Sequence, residues 1–146
     1  MRLTYKGDYA LKTILDLALH YGEKPVTIHQ LAKRADIPIK FLEQILLQLK
    51  RAGFVESRRG KVGGYLLFKH PSKITLGEVV RFIDGPVEPI ICVQHNYKGC
   101  RDLNKCVFRK IWQKVSESTS KIIDNITFDD LVKENKKGNS SFIYQI

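Results

Sequence analysis

The sequence predicts a mainly α-helical fold carrying one small β-hairpin. Three observations predict it. Apolar residues recur at helical spacing through most of the chain, in segments closed by glycine, proline or a turn. One stretch, residues 54–69, is instead rich in β-formers and is split by a glycine-rich turn. Hydrophobic residues make up 43% and charged residues 27%, the balance of a folded domain rather than a disordered chain.

The elements follow in order. Residues 8–21 set Ala10, Leu11, Ile14, Leu15, Leu17, Ala18 and Tyr21 at helical spacing, and Gly22 is the stop. After a turn at Glu23-Lys24-Pro25, Thr27 is placed to cap a short helix, 28–34, with Ile28, Leu31 and Ala32 inward. Residues 35–37 break the chain, and Pro38 suits the first turn of a new helix, 38–52. Its stripe of Phe41, Leu42, Ile45, Leu46 and Leu49 is expected to be core, and Gly53 ends it. Two helices joined by so short a break are a helix-turn-helix candidate. A strand at 54–58, a basic glycine-rich turn at 59–64 and a return strand at 65–69 come directly after them. In that position the hairpin reads as a wing, whose basic tip can track phosphates or enter a minor groove.

Residues 1–84 are therefore expected to form a winged helix-turn-helix DNA-binding domain, completed by a short helix at 75–83 and closed by Asp84-Gly85-Pro86. Residues 85–102 show little periodicity and are expected to be a loop. From 103 to about 123 the pattern is helical again, with Val107, Ile111, Trp112, Val115, Ile122 and Ile123 apolar. So long an apolar-faced helix fits pairing between two subunits. Thr127 is placed to cap a last helix, 128–134. The tail, 135–146, opens polar and is expected to be flexible.

The charge supports a polyanionic partner. The net charge is +10, and residues 1–81 hold 15 Lys and Arg against 7 Asp and Glu. A basic half of this kind gains from releasing counterions condensed on nucleic acid. No apolar run reaches the ~18 residues of a membrane span, and Met1-Arg2-Leu3-Thr4-Tyr5-Lys6 lacks the apolar core of a signal peptide. A cytoplasmic location without membrane contact is expected. No nucleophile elbow, P-loop or paired-carboxylate pattern occurs, so no catalysis is expected.

Cys92, Cys100 and Cys106 are the only cysteines and fall within 15 residues. An odd, clustered set in a cytosolic chain argues against a disulfide framework and for a metal, a cluster or a reactive thiol.

Several segments together carry a resemblance. They are Phe41-Leu42-Glu43-Gln44-Ile45-Leu46, Leu49-Lys50-Arg51-Ala52-Gly53, Ser57-Arg58-Arg59-Gly60, Gly63-Gly64-Tyr65-Leu66 and Ile74-Thr75-Leu76-Gly77-Glu78-Val79-Val80. In order and spacing these resemble the IscR/NsrR group of bacterial regulators, the Rrf superfamily. Met1-Arg2-Leu3-Thr4 and residues 126–132 match as well, so the likeness spans 1–134. It implies a homodimer on a roughly palindromic double-stranded operator, with the long helix at the dimer interface, and repression is the expected sense. It also implies that many members hold an iron–sulfur cluster on three cysteines before that helix. Some carry [2Fe-2S] and sense cluster supply, others [4Fe-4S] and respond to nitric oxide. Members without the cysteines use protein or metabolite partners.

On that resemblance Cys92, Cys100 and Cys106 are the expected ligands, with thiolates suited to iron and, less favoured here, to zinc. The IscR-type pattern has a shorter first gap and a His three residues after the last Cys, where this chain has Arg109. NsrR-type members resemble it at Asp8, whose carboxylate, from the partner subunit, is the preferred fourth ligand, ahead of His95 and Asp102. Asp8 is also what a helix N-terminus favours electrostatically. For DNA, the expected contacts are Thr27, Pro38, Ile39, Lys40, Glu43, Gln44 and Arg51 in the helix-turn-helix and Arg58, Arg59, Gly60 and Lys61 in the wing; Gln can read adenine, and Glu can accept from cytosine. The alternatives are a cluster-free regulator controlled by cysteine modification or a protein partner, and a zinc-stabilised structural protein.

Overall fold

The computed structural model describes residues 1–143, with the backbone alone for 139–143. It contains helices α1 (Tyr5–Leu19), α2 (Ile28–Ala35) and α3 (Ile39–Arg51), strands β1 (Val55–Arg58) and β2 (Gly64–Leu67), and helices α4 (Leu76–Asp84), α5 (Val107–Asp124) and α6 (Phe128–Ile143). The mainly helical class with one antiparallel hairpin is as expected.

Helix α1 lies at the centre, packed by α2, α3, α4 and α6. Its inward residues Ala10, Ile14, Leu17 and Ala18 meet Leu31 of α2, Leu42, Ile45 and Leu49 of α3, Val79 of α4 and Phe128 of α6 in one core. The capping chemistry sets the element ends. Thr27 and Gln30 form a reciprocal capping box on α2, and Thr75 and Glu78 form another on α4. Asp36 turns the chain in the left-handed region, φ 52°, so α2 and α3 are held close. A bidentate pair fastens α2 to α1: Arg34 Nε and Nη2 donate to the buried Asp16 carboxylate at 2.9 and 2.7 Å.

The hairpin pairs Val55 with Leu67 and Arg58 with Gly64. Its outer edge is covered by Val26, which exchanges backbone hydrogen bonds with Tyr65 at 3.0 and 2.8 Å. Gly64 makes that approach possible: a Cβ there would lie 2.5 Å from the Val26 carbonyl oxygen.

Some sequence expectations are corrected. Phe41 is not core but 62% exposed. Successive helical residues are ~100° apart, so the stripe centred on Leu42, Leu46 and Leu49 carries Phe41 to its edge. There it lies 6.3 Å from the Tyr9 ring of α1. Tyr21, counted on the inner face of α1, follows the end of that helix at Leu19; it is exposed and packs edge-on against His70. The long helix begins at Val107 rather than 103, because residues 101–105 form turns and Cys106 is its N-cap. The last helix does not end at 134 but runs to Ile143; the rest of the expected tail lies outside the described residues.

Candidate DNA-binding surface and cysteine loop

Pro38, Ile39, Lys40, Glu43 and Gln44 gather on the exposed side of the first turns of α3, opposite the buried stripe. Arg51 is also exposed but at the far end of this 13-residue helix, close to 20 Å along the axis at 1.5 Å per residue. The Thr27 hydroxyl is occupied in the α2 cap, accepting from the Gln30 amide at 3.2 Å. Lys50 Nζ donates to Ser57 Oγ at 2.6 Å, joining the end of α3 to the hairpin.

In the hairpin, Arg59, Gly60 and Lys61 form an exposed tip, with Gly60 at φ 113°. Arg58 differs from its neighbours. Its guanidinium lies 3.3 Å from Glu56 and borders a cleft shared with His20, Tyr21 and Glu23. Among the described residues no carboxylate pairs with Arg59 or Lys61. These two cations are thus available to an outside anion, whereas Arg58 is partly neutralised.

The cysteine loop connects α4 to α5. Cys92 is half-buried in a 3₁₀ turn at Ile91–Val93, and its carbonyl accepts from Arg109 Nε at 2.9 Å. Arg109 therefore ties the loop to α5. Cys100 is exposed; Cys106 is half-buried, and its amide donates to the Asp102 carbonyl at 2.9 Å. All three are free thiols. Asp8, on α1, receives Lys12 Nζ at 2.7 Å, and this contact raises the lysine above its ordinary pKa. His95 and Asp102 are exposed in the loop. Among the described residues no three His, Cys, Asp or Glu side chains are grouped to hold a metal. The donor chemistry suits iron or zinc, but the thiols are not gathered around a common point.

Beyond the loop, α5 presents Val107, Phe108, Ile111, Trp112, Val115 and Ile122, which are 38% to 67% exposed. Helix α5 packs mainly on α4 and the Ile91–Val93 turn. Its remaining apolar face is large for one exposed on a single protomer.

Sequence reasoning missed the contacts that brace these parts. Thr4 binds Asp84 through its amide, at 2.9 Å, and its hydroxyl, fixing the start of α1 to the end of α4. Arg81 of α4 clamps Asp124 and Ser120 of α5. Pairs this distant in sequence leave no local pattern. No described helix is long and apolar enough to cross a membrane.

Known proteins agree with this arrangement. The profile of the Rrf2 family, described as "Iron-dependent Transcriptional regulator", matches residues 3–134. The HTH-type transcriptional regulator IscR of Yersinia pseudotuberculosis is 39% identical over 132 residues, covering 90% of this chain and 79% of that relative. Among solved structures, CymR (YrzC), the global cysteine regulator of B. subtilis, superposes with a TM-score of 0.78 at 28% identity, covering 92% of this chain and 98% of CymR. IscR of T. potens gives 0.76 at 30% identity, covering 94% and 90%. A winged helix-turn-helix with an exposed polar face at the start of α3, a basic hairpin tip and this match over nearly its whole length places the chain: it belongs to the Rrf2 family of transcriptional regulators, which bind DNA.

Proposed function

We propose that this chain acts as a homodimeric repressor whose operator binding is governed by an iron–sulfur cluster on Cys92, Cys100 and Cys106. The observation that carries the reading is the position of the three free thiols. All lie on the one loop between the DNA-binding half and the apolar-faced α5. When bound, the group supplies thiolate-held iron that reacts with nitric oxide or oxygen or changes charge. Asp8 of a partner subunit is the proposed fourth ligand, and to serve it has to leave Lys12.

The chain's own residues supply the rest. Lys40, Glu43 and Gln44 face base edges, while Arg59 and Lys61 hold phosphates. Gathering the thiols draws Cys92 towards Cys106, at the head of α5. The Arg109 link to the Cys92 carbonyl shifts with it. Such a shift tilts α5, and with it the separation of two recognition helices that must fit half-sites ~34 Å apart.

The test titrates loaded and stripped protein against the operator. Different affinities are expected, and equal ones would contradict the switch. Replacing Arg59 by Ala is expected to weaken operator binding and to lower the slope of log affinity against log salt by about 1. An unchanged slope in a salt titration would remove Arg59 from the contact set.

A second reading has two observations in its favour: among the described residues the thiols are not grouped as metal ligands, and a global cysteine regulator shares the fold. In that reading the loop is cluster-free and acts through thiol modification or a protein partner. Visible absorbance of anaerobically prepared protein separates the two, since thiols alone give none.

A further inference from the structure

The carboxylate of Glu88 is anomalous. Glu88 stands just after the end of α4, at the base of the cysteine loop, and its Oε2 is shut off from solvent with no hydrogen-bond partner among the described residues. An unpaired buried carboxylate oxygen costs free energy, and a native structure keeps one only for a reason. Glu88 shares a cleft of about 350 Å³ with Arg81, Pro86, Gln94 and His95. The cation in that cleft is already engaged. Arg81 Nη2 donates to Asp124 Oδ2 at 3.1 Å and to Ser120 Oγ at 3.0 Å, and Nη1 donates to Asp124 Oδ1. Asp124, and more weakly the field of Glu88, hold this guanidinium above its ordinary pKa against the effect of burial. The Asp124 carboxylate rests on the backbone of α4 at Gly77, where any Cβ would collide with it.

One arginine thus faces two carboxylates from different elements, and only one of them is bonded to it. We propose that Arg81 is a positioning residue with exchangeable partners: Asp124 in the arrangement seen here, and Glu88 when the cysteine loop rearranges. The inference rests on reading residues 85–106 as the controlling loop, but it does not depend on what that loop binds. On exchange Glu88 turns onto Arg81 and gains the partner it lacks. Asp124 is released, and the end of α5 loses its clamp on α4. The same movement crowds Gln94 and His95 from the cleft, opening the turn that holds Cys92. Loop position and the seating of α5 are then two readings of a single choice. Asp84, three residues after Arg81, carries the start of α1 on the same helical turn, so the choice is felt at the DNA-binding half.

The test is a double-substitution cycle on reduced, metal-free, full-length protein, reading the peptide-resolved rate at which iodoacetamide alkylates Cys92. Asp124→Asn keeps the shape but removes the charge, leaving Arg81 to Glu88. Alkylation is expected to accelerate at least ~3-fold, within the coupling seen between groups sharing one network. Glu88→Gln alone is expected to leave the rate near that of the parent, and adding it to Asp124→Asn is expected to cancel the acceleration. Simple loosening of α5 would give the same acceleration with and without Glu88→Gln. That result, or no effect of Asp124→Asn, overturns the proposal. Because no iron is present, the outcome is independent of whether the thiols hold a cluster.

Discussion

Replacing Ile111 by Asp is expected to turn the proposed dimer into a monomer and to weaken operator binding by at least ~100-fold. Ile111 lies mid-way along the apolar face of α5 and is 54% exposed on a single protomer. A carboxylate there costs little in the protomer, because its oxygens reach water. In a symmetric subunit interface the substitution occurs twice, and each carboxylate must be desolvated without a partner, at roughly 2–5 kcal/mol apiece. Each 1.4 kcal/mol is tenfold in affinity, so dissociation follows. Operator binding falls with it, since one recognition helix engages only one half-site. Sedimentation velocity reads the first effect and DNA titration the second. A variant that stays dimeric at the parent's concentration dependence would exclude α5 as the pairing surface.

Replacing Leu42 by Ala is expected to cost about 3 kcal/mol of folding stability. Leu42 is 0% exposed and sits in the core between α1, α2 and α3. Leu-to-Ala changes at such sites cost 2–5 kcal/mol, from lost transfer energy and the cavity left behind. That is a large share of the 5–15 kcal/mol holding an ordinary domain, and at this size it lowers the melting temperature by roughly 6–12 °C. Leu47→Ala is the internal control. Leu47 lies on the same helix but is 44% exposed, so its truncation is expected to fall within ~0.5 kcal/mol. Equal losses for the two would mean that α3 does not bury the stripe assigned to it. Leu42 adjoins the proposed DNA contacts Glu43 and Gln44, so the same change is also expected to weaken DNA binding by misplacing their helix.

The contrast between Leu42 and Leu47 is legible in the sequence. Periodicity identifies which helices exist and which stripe faces inward, because a 3.6-residue repeat is a local property. Capping was equally legible: Thr27 and Thr127 stand where the structure uses them. Phe41 lies outside the stripe that periodicity suggests, because the width of a buried stripe depends on the neighbouring helix, here the start of α1 with Tyr9. Periodicity starts α5 at Leu103, which fits one helical spacing with Val107, whereas the turn at Asp102 carries the Cys106 amide instead and α5 begins at Val107.

The candidate site was legible in a different way. The basic tip at Arg59 and Lys61 and the three thiols announce themselves by residue type. Their partners do not. Arg109 marks a departure from a familiar pattern in sequence, and only the fold gives it work, as the donor to the Cys92 carbonyl. The orphaned oxygen of Glu88 has no sequence signature, because burial without a partner is created by the surrounding turns. Thr4 with Asp84 and Arg81 with Asp124 are ordinary surface residue types until α4 brings them beside α1 and α5.

Under the proposed function the cysteine loop controls this regulator by holding an iron–sulfur cluster. Iron and acid-labile sulfide, measured on full-length protein purified without oxygen, test it most directly. A brown protein with about one cluster per subunit is expected, the cluster being lost when Cys92, Cys100 or Cys106 is replaced by Ala. A colourless, iron-free protein from the same preparation, with all three thiols reduced and unmodified, would contradict it.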